Sequence, residues 1–198
     1  YPRHDKIVPD LDDTSVIGLS LLAHGVSFPR DLDLLLRYRT PEKLFVTWMV
    51  SEEQMPTQAE MEADGVLKDL HHYYLKNTPD CVINAQVLAY FARQGRTLPA
   101  VCHYLIHVAE SRDAVMHSIY YVIPYAFTSA MSRAYREGAT CLRPAVEPLI
   151  AQVVGSQQAN GSWGNALETA LASNTLLNLG YEGDLLDAGI AFLCSLQQ

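Results

Sequence analysis

The stretch Pro9-Asp10-Leu11-Asp12-Asp13-Thr14-Ser15 places three carboxylates directly before an apolar segment that ends at Gly25. Aspartate, threonine and serine are the residue types that cap helix N-termini, and acidic side chains there complement the helix dipole. Beyond the cap, residues repeat at intervals of three and four, the spacing of one helix face: Val16, Leu19, Ser20 and Ala23. The stretch therefore predicts the beginning of a helix.

The remainder of the sequence is dominated by the same helical periodicity. It predicts helices over residues 32–38, 67–76, 81–93, 98–110, 118–136, 142–154, 166–179 and 184–196. The helix over 118–136 is expected to be interrupted at Pro124 or to begin there. The segment Phe45-Val46-Thr47-Trp48 is short and β-prone, and no series of strands follows it. Glycines separate successive helices, which is typical of stacked antiparallel helical hairpins. We therefore expect an all-α chain forming one domain over residues 1–198.

Composition excludes several classes of function. The chain has 198 residues, of which 49% are hydrophobic and 18% are charged, so it can bury a substantial core. Its formal net charge is −8, and its lysines and arginines form no cluster. Binding to a phosphate backbone or to an anionic membrane surface requires a basic face. We therefore expect no nucleic-acid partner.

Cysteine usage and the ends of the chain bear on localisation. The four cysteines, at positions 81, 102, 141 and 194, lie far apart, which excludes a zinc site built from close cysteine pairs. We interpret them as small buried hydrophobes in a reducing compartment. No signal peptide is visible, and the chain begins without methionine, as a trimmed piece would. We predict a cytoplasmic protein, with peripheral membrane contact as the alternative, and interpret the uncharged run 114–131 as a buried helix or pocket wall.

The acidic cluster admits three interpretations. Asp10, Asp12 and Asp13 can simply cap the following helix. Crowded carboxylates can also serve acid catalysis, because they cannot all ionise cheaply and one retains its proton to higher pH. Finally, their oxygens can bind a divalent metal ion. The spacing alone leaves these alternatives open.

Taken with four other stretches, the cluster resembles a known family. Asp10-Leu11-Asp12-Asp13-Thr14 is similar to the DxDD(T) motif of class II terpene cyclases, the protonation-initiated enzymes of the squalene–hopene cyclase and copalyl diphosphate synthase type. Residues 16–25 resemble the helix that follows this motif, and residues 45–48 resemble a TW segment. Residues 80–88 (DCVINAQVL) resemble DxxVNANVL, and residues 158–164 (QANGSWG) resemble the QW repeat, QxxxGxW. The resemblance spans almost the whole chain and places it in the terpenoid cyclase/prenyltransferase superfamily.

This resemblance implies a fold and a set of site residues. The fold would be an α/α-toroid, partial or complete, built from antiparallel helical hairpins. Asp12 would be the general acid, and Asp10 and Asp13 would tune it. Gln158 would bond to a helix end while Trp163 packs on the next turn. The substrate-binding candidates are the aromatic residues whose faces stabilise passing positive charge, together with one amide: Phe45, Trp48, Asn84, Tyr121 and Tyr125. Among them, Tyr121 and Tyr125 are four residues apart on a predicted helix.

The resemblance also sets the expected ligands and partners. The substrate would be a linear isoprenoid, either a prenyl diphosphate or a squalene-type chain. We predict no metal site, because the DDxxD motif is absent. A diphosphate would need Mg²⁺ or a basic residue, for which Arg93, Arg96, Arg112 and Arg133 are candidates. The hydrogen-bond partner of Asp12 would come from His24, Asn84, His103, Tyr104, His107 or His117. The helices are too few for a complete toroid, so a second helical domain or a homodimer would complete the pocket.

Two rival functions fit parts of the same pattern. A non-catalytic helical-repeat domain would retain the scaffold and bind a hydrophobic ligand or a protein, and the short chain favours it. A relative of the prenyltransferases would bind a prenyl diphosphate, but the sequence offers neither metal ligands nor a basic cluster for it. An intact proton donor beside an apolar cavity distinguishes the cyclase from the first rival.

Overall fold

The structure is a computed structural model that describes residues 9–26, 31–50, 57–63 and 77–196. The described residues form helices and no β-strand, which confirms the prediction of an all-α fold for this part of the chain. Their α-helices are α1 (Leu11–Ala23), α2 (Asp31–Leu35), α3 (Gln58–Ala63), α4 (Cys81–Arg93), α5 (Pro99–Ser111), α6 (Ala126–Arg136), α7 (Val146–Val154), α8 (Ala166–Asn178) and α9 (Asp184–Ser195). Two 3-10 helices, Ala114–His117 and Thr140–Ala145, lie between them.

Helix α4 lies at the centre of the main core. Asp80 caps it, because the Asp80 side chain accepts the backbone N–H groups of Val82 and Ile83. Ten of its thirteen residues are buried, as expected for a helix that is apolar on all sides. Helices α1, α5 and α6 pack around it. The helix has the bounds that the sequence predicted.

Helix α1 approaches α4 closely at Gly18. A Cβ atom at this position would lie 2.8 Å from the Tyr90 ring of α4, so only glycine lets the two helices lie at this distance. The acidic cluster sits at the beginning of α1. This contact therefore helps to fix the position of the cluster relative to the core.

The β-prone segment 45–48 forms no strand, but it holds the beginning of α1 in place. Its backbone takes part in three isolated β-bridges: Asp10 with Trp48, Arg39 with Phe45, and Val46 with Pro79. The carbonyl of Thr47 accepts the N–H of Leu11 at 2.8 Å. The Asn84 amide pairs with both the N–H and the carbonyl of Phe45, at 2.9 Å each. The first turn of α1 is thereby attached, through this segment, to α4.

The C-terminal helices enclose a second, smaller cluster of buried residues: Val153, Trp163, Ala172, Leu176 and Leu186. The Trp163 indole N–H donates to the Val153 carbonyl at 2.7 Å, and its ring lies against Gly189 of α9. Trp163 is thus a structural residue of this cluster. Gln157, rather than the predicted Gln158, bonds to a helix end, because its amide donates to the carbonyl of Leu185 in the first turn of α9 at 2.7 Å. Gln158 instead accepts a local hydrogen bond from Ser162.

Hydroxyl and amide groups join the two clusters where α6 packs against α8. The Thr128 and Thr175 hydroxyls lie 3.2 Å apart, and the Asn178 amide donates to the Ser132 hydroxyl at 3.2 Å. Arg136 donates to the Asn178 side-chain oxygen at 3.1 Å. Directional bonds of this kind fix the register of two helices more narrowly than apolar contact does.

Three predicted helices differ from those observed. The helix predicted over 118–136 begins only at Ala126, because Pro124 lacks an N–H donor and Tyr125 has a φ of 66°. The segment 142–154 is divided into a 3-10 helix that contains Pro144 and the regular helix α7. Helix α2 ends at Leu35, three residues before its predicted end. The helix predicted over 67–76 lies outside the described residues.

The cysteines correct a further expectation. Cys102 of α5 and Cys141 of the Thr140–Ala145 turn form a disulfide, so the prediction of four reduced cysteines is wrong for these two. Cys81 is free and buried, and Cys194 is free and exposed. Disulfides persist mainly in oxidising compartments, so this bond argues against the predicted cytoplasmic location. Among the described helices, none combines the length and the apolar character needed to cross a bilayer.

Gly189→Ala is predicted to destabilise the fold even though alanine is the better helix former. A Cβ atom there would overlap the Trp163 ring, which the bond to Val153 holds in place. We expect the free energy of unfolding to fall by about 1–3 kcal/mol, measured by urea denaturation followed by circular dichroism. Ile190→Ala, at a neighbouring position that is 40% exposed, is the control. A Gly189→Ala variant as stable as the wild type would contradict this packing.

Candidate functional site

The three aspartates of the acidic cluster have different surroundings. Asp10 is the N-cap of α1, and its carboxylate accepts the N–H of Asp13 at 2.7 Å. Asp13 itself is exposed. Asp12 is half-buried and lies in the first turn, facing another part of the chain. Capping is therefore the structural role of Asp10, and it leaves the Asp12 carboxylate available for a different contact.

That contact is with Tyr121. The Tyr121 hydroxyl donates to Oδ2 of Asp12, although the two residues are 109 positions apart in sequence. The bond connects the beginning of α1 with the loop that precedes α6. Tyr121, predicted as a substrate-binding residue, is thus the hydrogen-bond partner of the predicted acid.

The surroundings of Asp12 favour its protonated form. The pKa of Asp12 is raised to about 6 in all: burial is the largest cause, the hydrogen bond from Tyr121 opposes the rise, and the negative charges of Asp10, Asp13 and Asp80 add to it. Burial also raises the pKa of Asp10. The pKa of Tyr121 is raised, first by burial and then by its bond to Asp12. Near neutral pH, Asp12 can therefore both hold and release a proton.

A buried carboxylate, Asp80, positions the loop that carries Tyr121. Besides capping α4, its Oδ2 accepts the Ser118 hydroxyl at 2.7 Å and the N–H of Ile119 at 2.8 Å. The Ser118 oxygen in turn accepts the N–H of Tyr121 at 2.9 Å. Tyr120, between them, accepts the indole N–H of Trp48 at 3.1 Å. Asp80 and Ser118 thus determine where the Tyr121 ring lies.

The Tyr121 ring lines a pocket of about 290 Å³, called here the candidate pocket. The pocket lies between the C-terminal ends of α5 and α7, the beginning of α6 and the loop before it. Its described lining is Val108, Ala109, Arg112, Ala114, Tyr121, Val122, Ile123, Pro124, Tyr125, Phe127, Thr128, Gln152 and Ser156. The wall is mainly apolar and aromatic, and Arg112 is the charged residue among these. Tyr121 therefore separates the pocket from the Asp12 carboxyl.

The structure brings together only some of the predicted substrate-binding residues. Tyr121 and Tyr125 both line the candidate pocket, although neither lies within a helix. Tyr125 adopts the left-handed conformation, which a tyrosine rarely occupies, and its hydroxyl donates to Ser156 at 3.1 Å. Trp48 is attached to the same loop through Tyr120, with which it forms an edge-to-face pair at 6.2 Å between centroids.

Phe45 and Asn84 occupy the core instead. Each is 0% exposed, and Phe45 packs against Phe91 with 5.7 Å between ring centroids. The Asn84 amide is engaged by the backbone of Phe45 and Asp80. Neither side chain has surface exposed to a substrate in this conformation. Their contact with a substrate stays a prediction.

The residues expected to bond with Asp12 have other neighbours. His24 pairs with the Ser20 carbonyl at 2.8 Å, and His117 packs edge-on against Tyr104. His103 and His107 are exposed on α5. No local pattern points to Tyr121 as the partner, because the contact joins distant segments. The uncharged run around it, interpreted as a pocket wall, was the only available signal.

The arginines predicted as candidates to hold a diphosphate lie in different surroundings. Arg112 lines the candidate pocket, whereas Arg93 forms an ion pair with Glu137 at 3.5 Å and Arg96 is exposed. Within the described ranges, no three histidine, cysteine, aspartate or glutamate side chains are grouped so as to hold a metal ion.

Comparison with known proteins gives no match: no protein-family model, no curated protein and no solved structure matches this chain.

Asp12→Asn is predicted to stabilise the protein in a pH-dependent way. Because the pKa of Asp12 rises from 3.8 to about 6 on folding, its contribution to stability is present below pH 3.8 and is lost as the pH rises through 6. Because asparagine does not ionise, the variant does not lose stability in this way as the pH rises. We expect the stability of the variant relative to wild type to increase by about 1 kcal/mol from pH 4 to pH 7, with allowance for solvent screening of a half-buried group.

Urea denaturation at the two pH values measures this difference. Asp33→Asn, which changes an exposed carboxylate of α2, is the matched control. An Asp12→Asn effect of equal size at both pH values would show that Asp12 titrates alike in the folded and unfolded chains.

Proposed function

We propose that this protein catalyses protonation-initiated cyclisation of a short linear isoprenoid, as class II terpene cyclases do, with Asp12 as the general acid. One observation carries the proposal: the side chain bonded to Asp12, Tyr121, also forms part of the wall of an apolar and aromatic pocket. The sequence resemblance, which names Asp12 independently, is consistent with it.

The proton would reach the substrate in two coupled transfers. When Asp12 is protonated, the hydrogen bond seen in the structure reverses: the Asp12 O–H donates to the Tyr121 oxygen, and the Tyr121 O–H turns towards the pocket. The Asp12 carboxyl then gives its proton to the Tyr121 oxygen as the Tyr121 hydroxyl proton passes to one carbon of a terminal alkene. The π bond breaks, its electron pair forms the new C–H bond, and the other alkene carbon becomes cationic. Another π bond of the chain then attacks this carbon and closes a ring. A neighbouring carbon gives a proton to a water molecule at the pocket mouth, the electrons of that C–H bond form the product alkene, and Asp12 regains a proton from solvent. The raised pKa of Asp12 supports the first transfer.

The pocket wall suits the intermediates of such a reaction. Aromatic faces stabilise a nearby cation electrostatically, and Tyr121, Tyr125 and Phe127 all line the candidate pocket. The aliphatic side chains of the wall disfavour water, which would otherwise trap the cation as an alcohol, and full exclusion of water would require the second domain or second copy of the chain. Asp10 and Asp13 would act at a distance, because their negative charges help to keep Asp12 protonated.

The size and charge of the pocket favour one of the two expected substrate classes. A volume of about 290 Å³ is at the lower end for ligand pockets and suits a short prenyl chain better than a squalene-type chain. Arg112, in the same wall, supplies a positive charge for a diphosphate. No carboxylate appears among the described lining residues, so the diphosphate proposal rests on Arg112 rather than on a protein-bound Mg²⁺.

The α/α-toroid belongs to the same proposal. Consecutive helices pack together in the pairs α4–α5 and α8–α9, as the hairpins of a toroid do. A second helical domain or a second copy of the chain would complete the enclosure of the pocket.

A binding function without catalysis is the second candidate, and the exposed apolar side chains beside the pocket favour it. Met116 is 78% exposed and Val122 is 65% exposed, on the segment that forms the pocket wall. Such side chains would suit a hydrophobic ligand or a protein partner.

Product analysis distinguishes the two functions. Wild type, Asp12→Asn and Asp33→Asn are incubated with farnesyl diphosphate, geranylgeranyl diphosphate and squalene, with and without Mg²⁺, and the products are identified by gas chromatography–mass spectrometry. We expect a cyclic product from farnesyl diphosphate, reduced about 100-fold or more by Asp12→Asn and unchanged by Asp33→Asn.

The outcome that would overturn the cyclase proposal is equally specific. Wild-type protein that is folded by circular dichroism and binds farnesyl diphosphate saturably, yet forms no product, would support the binding function. A cyclic product that persists in Asp12→Asn would remove Asp12 from the role of acid.

Arg112→Gln tests the choice of substrate class. Loss of a charge-assisted bond to diphosphate should raise KM for the prenyl diphosphate about tenfold or more, with little change in kcat. Arg96→Gln, at an exposed arginine outside the described pocket lining, is the control. Equal KM values for wild type and Arg112→Gln would show that Arg112 does not hold the diphosphate.

A further inference from the structure

The disulfide between Cys102 and Cys141 forms part of the wall of a second cavity. This cavity, called here the disulfide cavity, has a volume of about 460 Å³ and lies between the beginning of α5 and the Thr140–Ala145 turn. Its lining includes both cysteines together with His103, Ile106 and Pro144. A disulfide sealed in a core is protected from dissolved thiols, whereas one that lines a cavity is open to them.

The two cysteine residues are not equally exposed. Cys102 is 2% exposed, whereas Cys141 is only partly buried. Thiol–disulfide exchange begins with attack of a thiolate on one sulfur, and access decides which sulfur is attacked. A thiolate that enters the cavity therefore meets Cys141 first.

We propose that the Cys102–Cys141 bond is a site of thiol–disulfide exchange with a small thiol of the glutathione class, which enters the disulfide cavity and attacks Sγ of Cys141. The thiolate sulfur bonds to Cys141 Sγ, the Cys102–Cys141 bond breaks, and its electron pair remains on Cys102 Sγ, which takes a proton from solvent. A second thiolate then displaces Cys141, giving the dimeric disulfide of the small thiol. The two thiols supply the two electrons of the reduction.

The cavity suits a small thiol rather than a protein thiol. Its volume lies within the range of small-molecule sites. The target sulfur lies in a cavity wall between two helical segments, whereas a protein nucleophile approaches most readily on an open surface. The two free cysteines would interfere little with this exchange: the Cys81 thiol reacts weakly, and Cys194 can be replaced. Burial raises the pKa of the Cys81 thiol to about 12, and Cys194 is exposed and replaceable by serine.

Exchange at this bond would act on the candidate pocket. The disulfide ties α5 to the turn that leads directly into α7. Helix α5 contributes Val108 and Ala109 to the pocket wall, and α7 contributes Gln152. Breaking the disulfide therefore removes a covalent link between α5 and the turn before α7, two helices that line the candidate pocket. The exchange itself is independent of the proposed catalytic function.

Mapping the first modified sulfur tests the proposal. The full chain carrying Cys194→Ser is incubated with reduced glutathione under native conditions, quenched by alkylation and analysed by peptide mass spectrometry. We expect glutathione on Cys141 in roughly tenfold excess over Cys102, reflecting access. We also expect the exchange rate to be insensitive to urea concentrations below the unfolding transition.

A cavity-filling variant provides a second, matched test. Ile106→Trp places bulk in the disulfide cavity and should slow exchange severalfold, whereas Ile106→Ala should not, with circular dichroism confirming that both variants fold. The proposal is overturned by equal modification of the two cysteines, or by an exchange rate that rises with urea in step with global unfolding. Either result would mean that glutathione reaches the bond only when the chain opens.

Discussion

The position of the candidate functional site depends on the hydrogen bonds that the buried carboxylate of Asp80 accepts. It is 0% exposed and accepts five donors, from the first turn of α4 and from residues 118–120. Removing it would leave those donors unpaired in the interior, which costs far more than the mean value of a single hydrogen bond. Through Ser118 it sets the position of Tyr121, and through Tyr120 that of Trp48. The contact between Tyr121 and Asp12 follows from this arrangement.

In the proposed mechanism, capping and acid chemistry belong to different members of the acidic cluster. Asp10 occupies the cap position and bonds to the backbone, which leaves Asp12, two residues later, directed at Tyr121. Asp13 faces solvent and contributes mainly its charge. The spacing matters because residues one and two apart on a helix point in different directions. A single short motif thus both begins a helix and presents one carboxyl to the interior.

The sequence-based predictions are accurate where a structure depends on residues close together in the sequence, and fail where it depends on residues far apart. Helix α4 was predicted with its observed bounds, because its cap and its apolar content are local properties of residues 80–93. The segment 118–125 was predicted as helix, but it bonds to Asp80 instead, a partner about forty residues away. The contact of Asp12 with Tyr121 and the pairing of Cys102 with Cys141 also join residues far apart in the sequence, so no local pattern predicted them. The pattern predicted Asp12 as the acid, whereas its neighbours could be found only from the fold.

The division of the interior into two clusters has a consequence for how a ligand enters. The smaller cluster, around Trp163, contains few large side chains and joins the main core through the hydroxyl and amide bonds between α6 and α8. Regions with small apolar cores open locally at lower free energy than the whole molecule unfolds. Gln152 and Ser156, which line the candidate pocket, lie on either side of Val153 in the sequence, and Val153 is a member of this smaller cluster. Transient separation of the C-terminal helices would therefore admit a ligand without a dedicated lid.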